Sequence, residues 1–272
     1  MKGTTLEREE PAAASTLTPS RVDLERIFAL KHGRREESGW GPRLRLRYDY
    51  FTPDEWYEAL VDRLVREDTT WLDVGCGRSL FPSNRELSRE LAGRCRRLVG
   101  LDPDDTLDEN PYVHERVKAD VCRLQTERKF DLVTLRMVAE HIAEPDQLVQ
   151  QLSQVVPAGG RVVIYTVYRW SPVPIITALT PFSWHHRIKK ILWRTEARDT
   201  FPTVFRMNTR RALRSLFARQ NFEEEWFRLL DDCRSFQRFR LLNHLELLGL
   251  KACRTLGLGY PERCILGVFR RR

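Results

Sequence analysis

Apolar and polar positions follow two periods along this chain, and the switches between them predict its elements. Apolar residues at helical spacing predict a helix over 22–31, with Gly33 as its stop. Residues 34–41 read as a loop. Thr52-Pro53-Asp54-Glu55 then has the form of a helix start. Thr52 is the N-cap, Pro53 takes the first helical position, and Glu55 follows three residues after the cap. That helix runs through Trp56, Leu60, Leu64 and Val65.

From Trp71 the pattern alternates strand with helix. Strands are predicted over 72–74, 98–101, 112–118, 130–135 and 161–167, and helices over 83–92 and 145–156. Pro157-Ala158-Gly159-Gly160 ends the second of these helices. Strands and helices alternating at this spacing imply an α/β fold with a parallel, doubly wound sheet. The rhythm breaks over 168–206, where Pro172, Pro174, Pro181 and Pro202 punctuate aromatic, apolar and basic residues. This stretch is too apolar for a linker and reads as an insertion covering a pocket. A helix over 209–219, a strand over 222–230, a helix over 235–252 and a strand over 263–269 complete the chain.

Composition narrows the setting. The 272 residues suffice for one large α/β domain with an elaboration, or for two small domains. Residues 1–20 are polar, with no apolar signal core, and are expected to form a disordered tail. No apolar run is long enough for a transmembrane helix. The six cysteines are scattered, without a C-x-x-C pair, which fits reduced thiols in a cytoplasmic protein and no metal site. The adjacent His185-His186 reads as a loop pair. The net charge is +8, unevenly placed. Residues 181–272 hold 20 Lys and Arg against 9 Asp and Glu. Such a third attracts an anionic substrate, a membrane or nucleic acid, or is simply a solvated arginine-rich surface.

The candidate chemistry begins at Trp71-Leu72-Asp73-Val74-Gly75-Cys76-Gly77-Arg78-Ser79. A bulky apolar strand runs into two glycines, as where a buried strand turns tightly against a ligand. Asp102 and Asp120 close the next two predicted strands. In doubly wound sheets the first of these positions hydrogen-bonds ribose hydroxyls. A nicotinamide binder would need glycine at position 80, where this chain has Leu80.

The chain resembles the class I S-adenosylmethionine-dependent methyltransferases. The resemblance rests on Asp73-Val74-Gly75-Cys76-Gly77, Gly100-Leu101-Asp102-Pro103, Ala119-Asp120, Phe130-Asp131-Leu132-Val133 with Glu140-His141, and Gly159-Gly160-Arg161. One departure is Ser79, where the family usually has a third glycine. The resemblance implies a Rossmann-like fold with a mostly parallel seven-stranded sheet. It divides the chain into an N-terminal helical lid over 21–69 and a methyltransferase domain over 70–272, with a cap over about 168–208. It implies that Gly75, Cys76 and Gly77 pack against the methionine part of S-adenosylmethionine, with Asp73 near its amino group. Asp102 would take the ribose, Pro103 and Val121 would lie beside the adenine, and Asp120 would accept from its amino group. Arg136 and Met137 would line cofactor and acceptor.

Methyl transfer is an in-line displacement, so the protein must align the acceptor, exclude water and take a proton from a hydroxyl acceptor. His141 and Glu140 are the candidates for that proton. Imidazole titrates near neutrality, which suits a general base, and a packing or capping role is the alternative. Tyr48, Tyr50 and Trp56 either close over the cofactor or pack the N-terminal helix.

The expected acceptor is a small molecule, more readily oxygen than nitrogen or carbon. The fourth strand lacks the Asn/Asp-Pro-Pro-Tyr motif of many nucleic-acid amino-methyltransferases, which argues against nucleic acid. The stretch from Phe201 to Thr209 is similar to one in bacterial small-molecule methyltransferases of glycan and lipid-linked pathways. Apolar residues bracketed by Trp170 and Trp184, with Lys and Arg to about 194, offer a peripheral membrane contact or else cover the active site. The rival functions are an RNA methyltransferase using the basic third and a non-catalytic S-adenosylmethionine-binding scaffold.

Overall fold

The computed structural model describes residues 16–179 and 203–272. Helix α1 (Arg21–His32) opens with a capping box: Asp23 N–H donates to Ser20 Oγ, and Ser20 N–H donates to the Asp23 carboxylate. Gly33, at φ +76°, stops the helix in a conformation that favours glycine. Helix α2 (Trp40–Arg47) falls where no helix was expected. Its N-cap is Gly39, which makes no side-chain cap, so the sequence carries no start signal there. Helix α3 (Pro53–Leu64) has the expected Thr52–Glu55 capping box, and Pro53 sits in its first turn.

Strand β1 (Thr70–Val74), helix α4 (Arg85–Arg94), β2 (Arg97–Leu101), β3 (Glu115–Val117) and β4 (Leu132–Arg136) follow. Next come α5 (Pro145–Val155), β5 (Arg161–Val167), α6 (Pro172–Leu179), α7 (Arg210–Ala218), β6 (Phe222–Asp231), α8 (Arg240–Thr255) and β7 (Arg263–Arg271). The seven strands form one sheet in the order β3-β2-β1-β4-β5-β7-β6. Strands β1 to β5 pair in parallel, and β7 runs antiparallel to both β5 and β6. The doubly wound, mostly parallel sheet expected from the sequence is the one that forms.

Side chains alternate between the two faces with the period of two that strands impose. Trp71, Leu98, Leu132, Val163 and Tyr165 pack beneath α1, α3 and α4. Leu72, Val99, Val133, Leu135 and Ile164 pack against α5 and α7. Leu60, Leu87 and Leu91 are fully buried, each contributing about 2 kcal/mol of transfer free energy. A third cluster joins Tyr50, Cys233, Leu247 and Leu250, between the segment after α2 and helix α8.

Several boundaries differ from the sequence reading. Residues 16–20, expected to belong to a disordered tail, pack against the domain. Leu17 is buried, Trp226 Nε1 donates to Thr18 Oγ1 at 2.9 Å, and Arg63 Nη2 donates to Thr16 O at 2.7 Å. These partners are remote in sequence and leave no local signal. Residues 1–15 lie outside the described residues. Helix α8 begins at Arg240 because Glu246 accepts the N–H groups of Ser235 and Phe236 and holds that stretch as a loop. Tyr48, Tyr50 and Trp56 make contacts within the fold. Tyr50 Oη donates to Asp231 O and accepts from Cys233 N, Tyr48 Oη meets His244 Nε2 at 3.2 Å, and the Arg228 guanidinium lies over Trp56. Helices α1 and α3 share the core cluster of Trp71 and Tyr165.

Candidate active site

The chain goes from β1 outward to β2 and β3, then returns to place β4 on the other side of β1. That reversal opens a crevice at the carboxyl ends of β1 and β4, where open α/β sheets bind ligands. The loop after β1 lies there. Gly75 and Gly77 both have positive φ, +68° and +42°. A Cβ on Gly75 would stand 2.3 Å from Val138 Cγ2, so the loop after β1 and the turn after β4 meet only because residue 75 is glycine. Gly100 does the same for Cys76, whose Sγ would lie 2.7 Å from a Cβ there.

The loop is held by polar groups from the β2 side. Gly77 N–H donates to Asp102 Oδ2 at 3.0 Å, and Asn110 Nδ2 donates to Gly77 O at 3.0 Å. Both Asp102 and Asn110 are buried. Asp102 Oδ1 accepts from Asp104 N at 2.9 Å. Each Asp102 oxygen thus accepts one backbone N–H and retains a second lone pair. Asn110 was not singled out from the sequence, because no local motif marks it.

Asp73 sits beneath the loop on the face covered by α3. It is the register partner of Thr134, whose Oγ1 donates to Asp73 Oδ1 at 2.5 Å, and Trp71 Nε1 donates to Thr134 Oγ1 at 2.7 Å. Burial pushes the Asp73 carboxyl up to about 7, against the opposing pull of Thr134 and the Arg136 charge. Thr134 and Trp71 orient this carboxyl, a role only the strand register reveals.

The other expected residues separate into those at the crevice and those turned from it. Met137 adopts φ +53°, an uncommon conformation for a non-glycine residue, directly after β4. Its N–H donates to Tyr165 O at 2.7 Å. Arg136 points toward α3, where Nη2 donates to Asp54 Oδ1 at 3.2 Å. Asp54 also pairs with Arg234, which grips Asp232 through two bonds of 2.6 Å. Burial alone would raise the Asp54 carboxyl, but Arg234 and Arg136 hold it well below the usual carboxylate range. Pro103 is exposed beside Asp102. Asp120 is exposed at the end of β3 and accepts from Cys122 N at 2.9 Å, while Val121 is buried. No hydrogen bond among the described residues joins Asp120 to the glycine loop.

Glu140 and His141 lie in a short 3-10 turn over Ala139–His141. Glu140 is buried, and its Oε2 accepts from Thr166 Oγ1 at 2.6 Å. Asn208 Nδ2 donates to the same Thr166 oxygen at 2.7 Å and to Val167 O. The N–H groups of Val204 and Phe205 donate to Glu140 O. Burial raises the Glu140 carboxyl. This residue therefore ties residues 204–208 to the end of β5. His141 next to it is partly exposed. The stretch 180–202, with His185-His186, Trp184 and the rest of the expected cap, lies outside the described residues.

Two arginines of the basic third, and Arg161 of β5, pair with the acidic strand β6. Arg161 pairs with Glu225, Arg210 with Glu224 and Arg272 with Glu223. These pairs line β6, with the side chains of Arg210 and Arg272 still exposed.

A doubly wound sheet with a clamped glycine loop at its switch point defines a nucleoside-cofactor-binding α/β protein. The chain belongs to the methyltransferase domain family, which it matches over residues 46–225, and so to the S-adenosylmethionine-dependent class its motifs resemble. It is 27% identical to a ubiquinone biosynthesis O-methyltransferase of Leptothrix cholodnii over 42% of this chain and 50% of that one. It is 30% identical to the mitochondrial ubiquinone biosynthesis O-methyltransferase of Homo sapiens over 35% of this chain and 28% of that one. The chain therefore spans half or less of these relatives' lengths. Among solved structures, the N-methyltransferase NodS from Bradyrhizobium japonicum is 12% identical, with a TM-score of 0.46 over 80% of this chain and 96% of that one.

The residues present fit the methyl donor of that class. Gly75 exposes main chain at the crevice, and Asp73 stands ready to ionise beside a cation. Ser79 Oγ, at the departure from the family pattern, is buried without a hydrogen-bond partner among the described residues. A buried hydroxyl left unpaired costs about 1–3 kcal/mol, which a polar ligand group at the loop would recover.

Proposed function

We propose that this protein transfers a methyl group from S-adenosylmethionine to a hydroxyl oxygen of a small-molecule acceptor. The observation that carries the reading is the clamp of Asp102 and Asn110 on Gly77, next to the Gly75–Val138 contact at the switch point. Asp73, Gly75, Cys76 and Gly77 hold the methionine part, Asp102 the ribose, and Pro103, Asp120 and Val121 the adenine. When bound, S-adenosylmethionine supplies a methyl group already activated on sulfur. The chain's own work is to position the acceptor oxygen, exclude water and accept its proton. His141, partly exposed at the carboxyl edge, is the group we assign to the proton. Glu140 positions the turn that carries it.

The similarity to O-methyltransferases supports oxygen as the receiving atom. A lipid- or glycan-linked acceptor accords with the apolar side chains at the same edge, where Trp170, Ile175 and Ile176 are exposed. The test is a panel of phenols, alcohols and amines with isotopically labelled methyl donor. Labelled methyl ethers are expected. Labelled methylamines alone, or no transfer to any hydroxyl compound, would contradict the reading.

A further inference from the structure

Strand β6 runs in the direction of β5, and Asp231 pairs with Arg263 one residue from the Val167–Cys264 pair. Residues 232–262 therefore leave and re-enter the sheet at its carboxyl edge, beside the crevice. They place α8 there, packed against α2, with α6 following β5 on the same edge. Among the described residues, every exposed large apolar side chain except Val22 and Val204 lies in α2, in 170–176 or in 236–258. Helix α8 buries Leu247 and Leu250 on one face and exposes Leu242, Leu245 and Leu248 on the other. Leu241 is 71% exposed and Leu245 54%, so this face has no cover among the described residues.

Charge says what covers it. Between Cys233 and Pro261 the only carboxylate is Glu246, which is buried and committed to the N–H groups of Ser235 and Phe236. The exposed Arg238, Arg240 and Lys251 border the leucines. A groove of about 610 Å³ between α2 and α8 is lined by Trp40, Arg43, Arg47, Arg240, Leu241 and His244. Apolar side chains rimmed by arginines, with a tryptophan at the boundary, match an anionic bilayer surface. A symmetric dimer through this face would set the same cations against one another.

We propose that the α2–α8 surface docks the protein on anionic lipid, with phosphate headgroups in the arginine-lined groove and the α8 leucines in the interface. The surface differs from the 170–194 segment marked by the sequence. It also stands apart from the methyl-transfer reading, because vesicle binding is measured without methyl donor. Docking turns the crevice edge toward the membrane, where an apolar acceptor resides.

The test is flotation of the full chain with vesicles of phosphatidylglycerol and phosphatidylcholine, against phosphatidylcholine alone. Binding to the anionic vesicles is expected, falling steeply as salt rises. Arg43→Glu/Arg240→Glu and Leu242→Asp/Leu245→Asp should each lower the bound fraction at least tenfold, while melting temperature and S-adenosylhomocysteine affinity stay at parent values. Glycerol phosphate in solution should compete only weakly, since the leucines add to the binding of the intact bilayer. No binding to anionic vesicles at low salt overturns the proposal. So does equal binding by the variants, a parent dimer that Leu242→Asp/Leu245→Asp dissociates, or capture of RNA without capture of vesicles.

Discussion

Gly77 N–H donates to the Asp102 carboxylate at 3.0 Å, which ties the glycine loop after β1 to the end of β2. The same carboxylate is the one assigned to the ribose. Asp102→Ala removes both the clamp and the acceptor, and should weaken S-adenosylhomocysteine binding at least tenfold, or about 1.4 kcal/mol. Asp102→Asn retains an acceptor for Gly77 and should weaken binding less. Calorimetric affinities of the two variants check the order.

Gly75→Ala places a Cβ 2.3 Å from Val138 Cγ2 at a φ of +68°. Clash and backbone strain together should lower stability by about 2–3 kcal/mol. Adding Val138→Ala removes the clash but not the strain, so the double variant should recover part of the loss. Denaturant unfolding of both variants measures this.

Asp73 has its carboxyl pushed up to about 7 by burial. The folded apo-protein therefore binds a proton that the unfolded chain has released, and this group's contribution to stability falls as pH rises from about 4 through 7. Binding of a cationic amino group favours the ionised form. Cofactor affinity should accordingly rise with pH up to about 7 and then level. Proton release below pH 7, read by calorimetry in buffers of different ionisation enthalpy, should disappear in Asp73→Asn.

Glu55 has the opposite sign. Burial alone would raise it, but His32, Arg45, Lys31 and the Thr52 N–H hold it at about 2. Its stabilisation is complete above the unfolded value near 4.5 and is lost as pH falls toward 2. Glu55→Gln leaves the buried Arg45 without its counter-charge and should cost about 3 kcal/mol near neutral pH. The difference from parent should shrink in acid, as chemical unfolding between pH 3 and 7 would show.

His141→Ala should lower kcat by about 10²-fold, with cofactor affinity unchanged, because the imidazole is the group assigned to the acceptor proton. Steady-state kinetics across pH with a hydroxyl acceptor decide this. Parent-like kcat would remove His141 from the role.

Much of the scaffold was legible because its signals are local. The Thr52–Glu55 box, the β-branched run of β5 and the Gly75–Gly77 turn each carry their instruction within a few residues. What escaped depends on distant partners. Helix α2 lacks a side-chain cap, Asn110 reaches back to Gly77 across 33 residues, and Asp54 meets Arg136 and Arg234 only after the sheet assembles. Glu140 illustrates the converse. Its place beside a histidine after β4 is a local signal, whereas its burial against Thr166 is not.

The central claim is that the β1–β4 crevice binds the methyl donor through the glycine loop. Calorimetric titration of the full chain with S-adenosylmethionine and S-adenosylhomocysteine tests it most directly. The account predicts one site for each, weakened by Asp102→Ala. Absence of binding to both ligands by the folded parent would contradict it.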